Sequence, residues 1–238
     1  MHEPLVNATP DVILSLAGVR LAEDCPPATS SPIDFKLCPG DTMIIKVKGL
    51  ETMEALGDIF EGLIEPAQGV VKFLGSSWSE LPRPHRAALR GSIGRIFARG
   101  GWISNLSVFQ NVALASRHHH NATRSALRNE IGRISDALGI DPPPHLSPEQ
   151  TPEKRLCEAA CVRALLGSRS LFILERALAG LEDKTASNFA AEVEKRRAEG
   201  AAVAWITDGD ATRIASLLRK PMIASLEGSA WRWMENGR

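Results

Sequence analysis

Several small groups of side chains in this sequence could do chemistry. The acid Glu175 closes the apolar run Leu171-Phe-Ile-Leu174 and is followed at once by Arg176. A guanidinium is already protonated at neutral pH and cannot take a proton from water, so Arg176 cannot serve as a general base. His118-His-His120 is a run of potential metal ligands. Consecutive residues on a helix point in different directions, so a real site would need other donors, and a solvated helix end or loop is the plainer reading. Asp208-Gly-Asp210 could be a metal-binding pair, but a turn or helix cap accounts for it better. Cys157 and Cys161 are four apart on an expected helix and could share a face. With no second pair of ligands, Cys25, Cys38, Cys157 and Cys161 read as buried thiols in a reducing cytosol. No metal site is expected.

The elements that would position these groups alternate strand with helix. Residues 171–175 and 201–207 are expected strands, 151–168 and 183–199 expected helices, and Ser107 to about Leu138 has helical spacing. Asp141-Pro-Pro-Pro-His-Leu-Ser-Pro148 cannot be helical. Up to about Gly75 short strands alternate with Pro/Gly turns, and Asp24 to Pro32 reads as an exposed loop. Strands alternating with helices imply a parallel sheet. A length of 238 residues suits one α/β domain, with or without a subdomain. Lys+Arg and Asp+Glu both number 28, so no net charge steers the chain to nucleic acid or anionic lipid. No apolar run approaches the ~20 residues of a membrane span, and Met1-His-Glu-Pro4 lacks the pattern of an export signal. A cytoplasmic chain is expected, peripheral at the inner face of the membrane if a partner holds it there.

The segment from Leu171 to Ala186 resembles the Walker B and D-loop region of ABC-transporter ATPases, where a hydrophobic strand ends in Asp-Glu-Pro and runs into a Ser/Ala-Gly-Leu-Asp turn. Other segments resemble the same family, in its order. Ile33 to Asp41 is similar to the strand and Pro-Gly-Asp turn before the phosphate loop, and Thr42 to Val47 to the strand leading into it. Phe60 to Val71 resembles the helix end, Pro-x-x-Gly turn and strand that follow. Ile93 to Phe97 through Leu106 to Leu114 resembles the Q-loop and the start of the helical subdomain. Glu158 to Leu165 resembles the helix after the signature motif, and Ala201 to Thr207 the strand before the switch histidine. The run from Gly100 faintly resembles the ATPase subunits of bacterial lipid-trafficking (Mla/Mce-type) systems. The resemblance implies a single α/β fold over residues 1–238. It would have a RecA-like parallel sheet core, an N-terminal antiparallel β subdomain and a helical subdomain at approximately 105–165.

At the positions that carry the family's chemistry, this chain has other residues. The phosphate-loop pattern Gly-x-x-x-x-Gly-Lys-Ser/Thr falls on Val47-Lys-Gly-Leu-Glu-Thr-Met-Glu54. The first glycine is Val47, the last is Thr52, the lysine is Met53 and the Mg²⁺-holding hydroxyl is Glu54; Gly49 remains within the loop. Glu51 and Glu54 suit an empty helix N-terminus but would repel a triphosphate. Two like charges ~4 Å apart at an effective dielectric near 20 cost about 4 kcal/mol, about a thousandfold in affinity. Lys48 could supply positive charge from another point, although the missing glycines also restrict backbone approach. The Q-loop Gln falls on Ala98. The signature falls on Thr151-Pro-Glu-Lys-Arg155, where Pro152 has no N–H to donate and Glu153 opposes phosphate; Leu146-Ser-Pro-Glu-Gln150 looks more similar but lies five residues early. Thr151 as N-cap, Pro152 at N1 and Glu153 in the first turn would explain the helix without a ligand. The Walker B Asp, general base and switch His fall on Glu175, Arg176 and Asp208. The chain has no Tyr, and no aromatic residue lies between Ser15 and Asp34 to stack on adenine.

The resemblance therefore implies a degenerate, non-hydrolysing subunit of a transport system. No cofactor is expected, Mg-ATP being the alternative for an ATPase with altered motifs. Partners would be a transmembrane permease subunit, a second ABC ATPase subunit or both, with a homodimer as another arrangement and no nucleic acid. Arg99, Trp102, Ile103, Leu106 and Phe109 are candidates for the permease-docking surface, although the apolar ones suit a core as well. A free-standing binding protein on the same fold is a third reading.

Overall fold

A computed structural model describes residues 11–21, 31–120, 123–227 and 229–234, without the side chains of 118–120. Met1–Pro4, Cys25 and the loop expected from Asp24 to Pro32, except its last two residues, lie outside the described residues, as do the His118–His120 side chains. The first strands are Leu14–Arg20 (β1), Ile33–Leu37 (β2) and Thr42–Val47 (β3), followed by helix Leu50–Phe60 (α1). Then come Gln68–Phe73 (β4), Ser76–Ser77 (β5), Arg83–Arg90 (α2) and Ile93–Ile96 (β6). A helical stretch follows: Val108–His120 (α3), Arg124–Leu138 (α4) and Glu153–Leu165 (α5). The chain continues with Leu171–Glu175 (β7), Asp183–Ala198 (α6), Ala202–Thr207 (β8), Ala211–Leu217 (α7), Met222–Glu227 (β9) and Ala230–Met234 (β10).

Two sheets result. β2-β1-β4-β5 is antiparallel. The second has the order β10-β9-β3-β8-β7-β6, parallel throughout except for the edge strand β10. The expected mixed α/β fold, with a parallel core and a separate antiparallel sheet, is the one observed. Its central strands are apolar at successive positions because both faces are covered. β7 and β8 are buried along their whole length. Side chains alternate between faces: Ile44, Phe172, Leu174, Val203 and Trp205 join the layer of α3–α6, whereas Met43, Ile45, Ile173, Ala204 and Ile206 join that of α1 and the antiparallel sheet. β2 is covered on one face only, so Ile33, Phe35 and Leu37 are buried and the residues between them exposed.

The helix ends follow local chemistry, with one difference from expectation. Thr123 caps α4 by accepting from the Ala126 N–H, and Gly139 closes it in the left-handed conformation, φ 71°. Asp210 caps α7 by accepting from the Thr212 N–H at 2.8 Å. Thr151 does not cap α5. Its hydroxyl donates to the Ser147 carbonyl at 2.9 Å, within the short 3₁₀ turn Pro148–Gln150, and Pro152 takes the cap position.

Gly94 of β6 lies against α5, where a methyl group would press on the Ala164 carbonyl and come within 3.0 Å of the Phe172 ring. Backbone cannot yield as a flexible side chain can. Gly94→Ala is therefore expected to lower stability by about 1–3 kcal/mol, as measured by urea unfolding; an unchanged midpoint would contradict this packing of α5 on β6.

Candidate functional site

The parallel strands place their carboxyl ends side by side, since Ile96 pairs with Leu174, Glu175 with Ile206 and Lys46 with Thr207. The segments leaving β3, β6, β7 and β8 therefore emerge at one edge, where open α/β sheets bind their ligands. Between the Q-loop segment, α5 and the turn after β7 lies a cleft of about 400 Å³ whose lining includes Ala98, Trp102, Glu153, Cys157, Glu175 and Arg176.

Glu175 is 1% exposed. Its Oε1 accepts from Arg95 Nε at 2.7 Å and pairs with Nη2 at 2.6 Å, and its Oε2 accepts from the Ala98 N–H at 2.9 Å. Arg95 is itself buried, and its Nη1 reaches Asp58 at 2.7 Å and Glu61 at 2.8 Å. One guanidinium thus gathers three carboxylates, from α1, its C-cap Glu61 and β7. Gly57 makes this approach possible, because a Cβ there would fall on Glu175 Oε1 and the Arg95 guanidinium. Burial works against the Arg95 charge, but Glu175, Glu61 and Asp58 more than offset it and raise its pKa. Burial pushes the Glu175 carboxyl from the ordinary 4.5 up to about 7, against the pull of Arg95 and the Ala98 amide.

The segment aligned with the phosphate loop is a short passage into α1. Gly49, with φ 87°, precedes the helix, and the Met53 N–H donates to the Gly49 carbonyl at 3.4 Å. Val47, Thr52 and Met53 are buried and Lys48 is exposed. Arg99 holds Glu54 in a fork, Nε to Oε1 at 2.9 Å and Nη2 to Oε2 at 2.7 Å. That hydrogen bond, opposed by partial burial and aided by the charges of Arg99 and Arg95, holds the Glu54 carboxyl below its ordinary range. Arg99, expected on a docking surface, is engaged with its own chain. Arg176, at φ 49°, pairs through Nε with Asp208 Oδ1 at 3.2 Å, so the residues aligned with the base and the switch histidine meet as an ion pair. Thr151 is buried, whereas Pro152 and Glu153 are exposed at the start of α5.

Of the remaining docking candidates, Ile103 is exposed, and Trp102, Leu106 and Phe109 are half-buried. The Arg163 guanidinium stacks on Trp102 at 4.4 Å and Phe97 at 5.3 Å and donates to the Gly101 carbonyl. Burial pulls its pKa down to about 10.

Sequence reasoning missed Arg95, Asp58, Glu61 and Gly57. A signal was present: Arg95 interrupts the otherwise uncharged strand Ile93–Ile96, and a charge in a buried strand requires a partner. Glu54, Asp58 and Glu61 recur at helical spacing on α1.

No family model matches the chain. It is 26% identical over 154 residues to the nickel import ATP-binding protein NikE of Pseudomonas putida, an alignment covering 63% of this chain and 56% of that protein. The chain thus spans just over half the length of that relative. A dimeric ATP-binding cassette, MJ0796, in a post-hydrolysis state with ADP and Pi, superposes with a TM-score of 0.80 at 15% identity, covering 94% of this chain and all of that one. The cbiO1 protein of Clostridium perfringens, part of the ABC transporter complex cbiONQ, superposes with a TM-score of 0.71 at 17% identity, covering 93% and 87%. The chain has the fold of the ATP-binding domain of ABC transporters.

These relatives overturn the expectation of no cofactor. NikE is an ATP-binding protein by name and the MJ0796 cassette holds ADP and Pi, so ATP is the cofactor to be reckoned with for this fold. The residues aligned with the cradle do not fit Mg-ATP in the phosphate-loop manner. Met53 is in the core, Glu54 is held by Arg99, and both Glu175 oxygens already accept hydrogen bonds.

A carboxyl whose pKa is raised by folding favours the folded state most below its ordinary value and loses that advantage as pH rises through the folded one. For Glu175 this window runs from 4.5 to about 7. Arg95→Met removes the countercharge and is expected to cost about 3–5 kcal/mol, with the loss greater at pH 8 than at pH 5 by urea unfolding; equal loss at both would sink this assignment. The Glu54 carboxyl should titrate below 4.5 by side-chain NMR and move upward in Arg99→Ala. A midpoint insensitive to Arg99 would show that the fork is absent in solution.

Proposed function

We propose that this chain is an ABC-type ATPase-fold subunit of a membrane transport system that does not itself hydrolyse ATP. It would act by docking on a permease or a sister ATPase subunit, at the cytoplasmic face of the membrane. The observation that carries this reading is the Arg176–Asp208 pair. At the position aligned with the general base stands a side chain that cannot accept a proton, and it is paired with an acid at the position aligned with the switch histidine. The Glu175 carboxylate supports the same reading, since Arg95 and the Ala98 N–H occupy its oxygens. We further assign approximately 105–165 as a helical subdomain within one fold spanning 1–238.

Docking is supported by the exposed Ile103 beside half-buried Trp102, Leu106 and Phe109. No helix among the described residues is long and apolar enough to cross a membrane, so the membrane contact proposed here is made through the permease. The assembly of cbiO1 in a transporter complex supports a partnered arrangement.

Purified chain with Mg-ATP should release phosphate no faster than Arg176→Ala, before and after reconstitution with the membrane subunit that co-purifies with it. Turnover by the native chain that Arg176→Ala or Glu175→Gln abolishes would overturn the proposal and favour an ATPase with altered motifs.

A further inference from the structure

At the opposite end of the parallel sheet from the Glu175 cleft lies a cavity of about 480 Å³ that the proposed function does not use. It is lined by Gly40 and Asp41 of the turn before β3, by Thr42 at the start of β3, by the end of α6, and by the segment joining α7 to β9 with Met222 at the start of β9. Three cations line it, Arg197, Arg219 and Lys220, against one acid, Asp41. Asp41 is committed within its own turn, where Oδ2 accepts from the Cys38 N–H at 2.7 Å. Arg197 is held in place: its Nη1 donates to the Gly40 carbonyl at 2.6 Å and its Nε to Glu194 at 3.0 Å. Arg219 and Lys220 are exposed. Thr42, also in the lining, is 3% exposed and its hydroxyl has no partner among the described residues.

We propose that this cavity binds a compact, multiply charged phosphate group. Two guanidinium groups and an ammonium lining one cavity, Arg197 from α6 and Arg219 and Lys220 from the segment between α7 and β9, suit an anion with several acceptor oxygens, which arginine meets as a fork and lysine as a point charge. The chain carries no net charge, so the excess of cations here is local and does not follow from overall composition. A concave site suits a phosphate group, free or at the head of a lipid.

Calorimetry on the full chain with inorganic pyrophosphate should give saturable, single-site heat. Arg219→Ala/Lys220→Ala, at exposed positions, should weaken it about tenfold or more, the value of a charge-assisted hydrogen bond, while leaving circular dichroism unchanged. Arg99→Ala, at the far cleft, should have no effect. Co-sedimentation with phosphatidylcholine vesicles containing a phosphoinositide distinguishes the sources: capture that the double variant loses identifies a lipid headgroup, and pyrophosphate binding without capture identifies a soluble phosphate. Absence of both, or binding that responds to Arg99→Ala and not to the double variant, would overturn the proposal.

Discussion

A buried guanidinium must be neutralised, and in this molecule that requirement organises the carboxyl end of the parallel sheet. Arg95 takes Glu175 from the neighbouring strand, Asp58 from α1 and Glu61 from the residue that ends it. Removing one member of such a cluster leaves an uncompensated charge out of water, so its parts hold one another in place. The spacing between α1 and the sheet is tied to the same point, because only a glycine at position 57 leaves room for the contact. Glu175 thereby becomes a structural ligand of an internal cation.

Around this point the charges are arranged in complementary pairs. Arg99 forks onto Glu54 across the entrance to α1, and Arg176 meets Asp208 where β7 and β8 end. Each pair satisfies locally a position that the family resemblance associates with nucleotide chemistry. The fold is retained because it rests on both apolar faces of the sheet, with Trp205 and Phe172 on one and Met43 and Ile45 on the other. None of those residues depends on the identity of the polar ones at the strand ends. NikE is an ATP-binding protein by name and the MJ0796 cassette holds ADP and Pi, while in this chain the side chains aligned with their cradle pair with one another.

Much of the architecture was legible in advance. The apolar runs of β7 and β8 and the Pro-rich break at 141–148 were read from short segments and stand where they were expected. The candidate site was legible only in part. Glu175, Arg176 and Asp208 could be placed at strand ends by resemblance, but their partners could not. Arg99 is a surface side chain and also pairs with Glu54, whereas Thr151, expected as a cap, donates to Ser147 instead. For Thr151 the side chain had two chemically sound uses, and the neighbours brought by the fold selected one.

By itself the sequence determined the alternation of strand and helix over residues 151–207, the expectation of a parallel sheet and the absence of a proton acceptor at residue 176, because periodicity, turn chemistry and side-chain type are read from short segments. Only the tertiary structure decided that Arg95, Asp58, Glu61 and Glu175 form one cluster and that Arg197, Arg219 and Lys220 share one cavity. Those groups come from strands and helices far apart in the chain, and their interaction depends on distances of a few ångströms that are set when the layers pack.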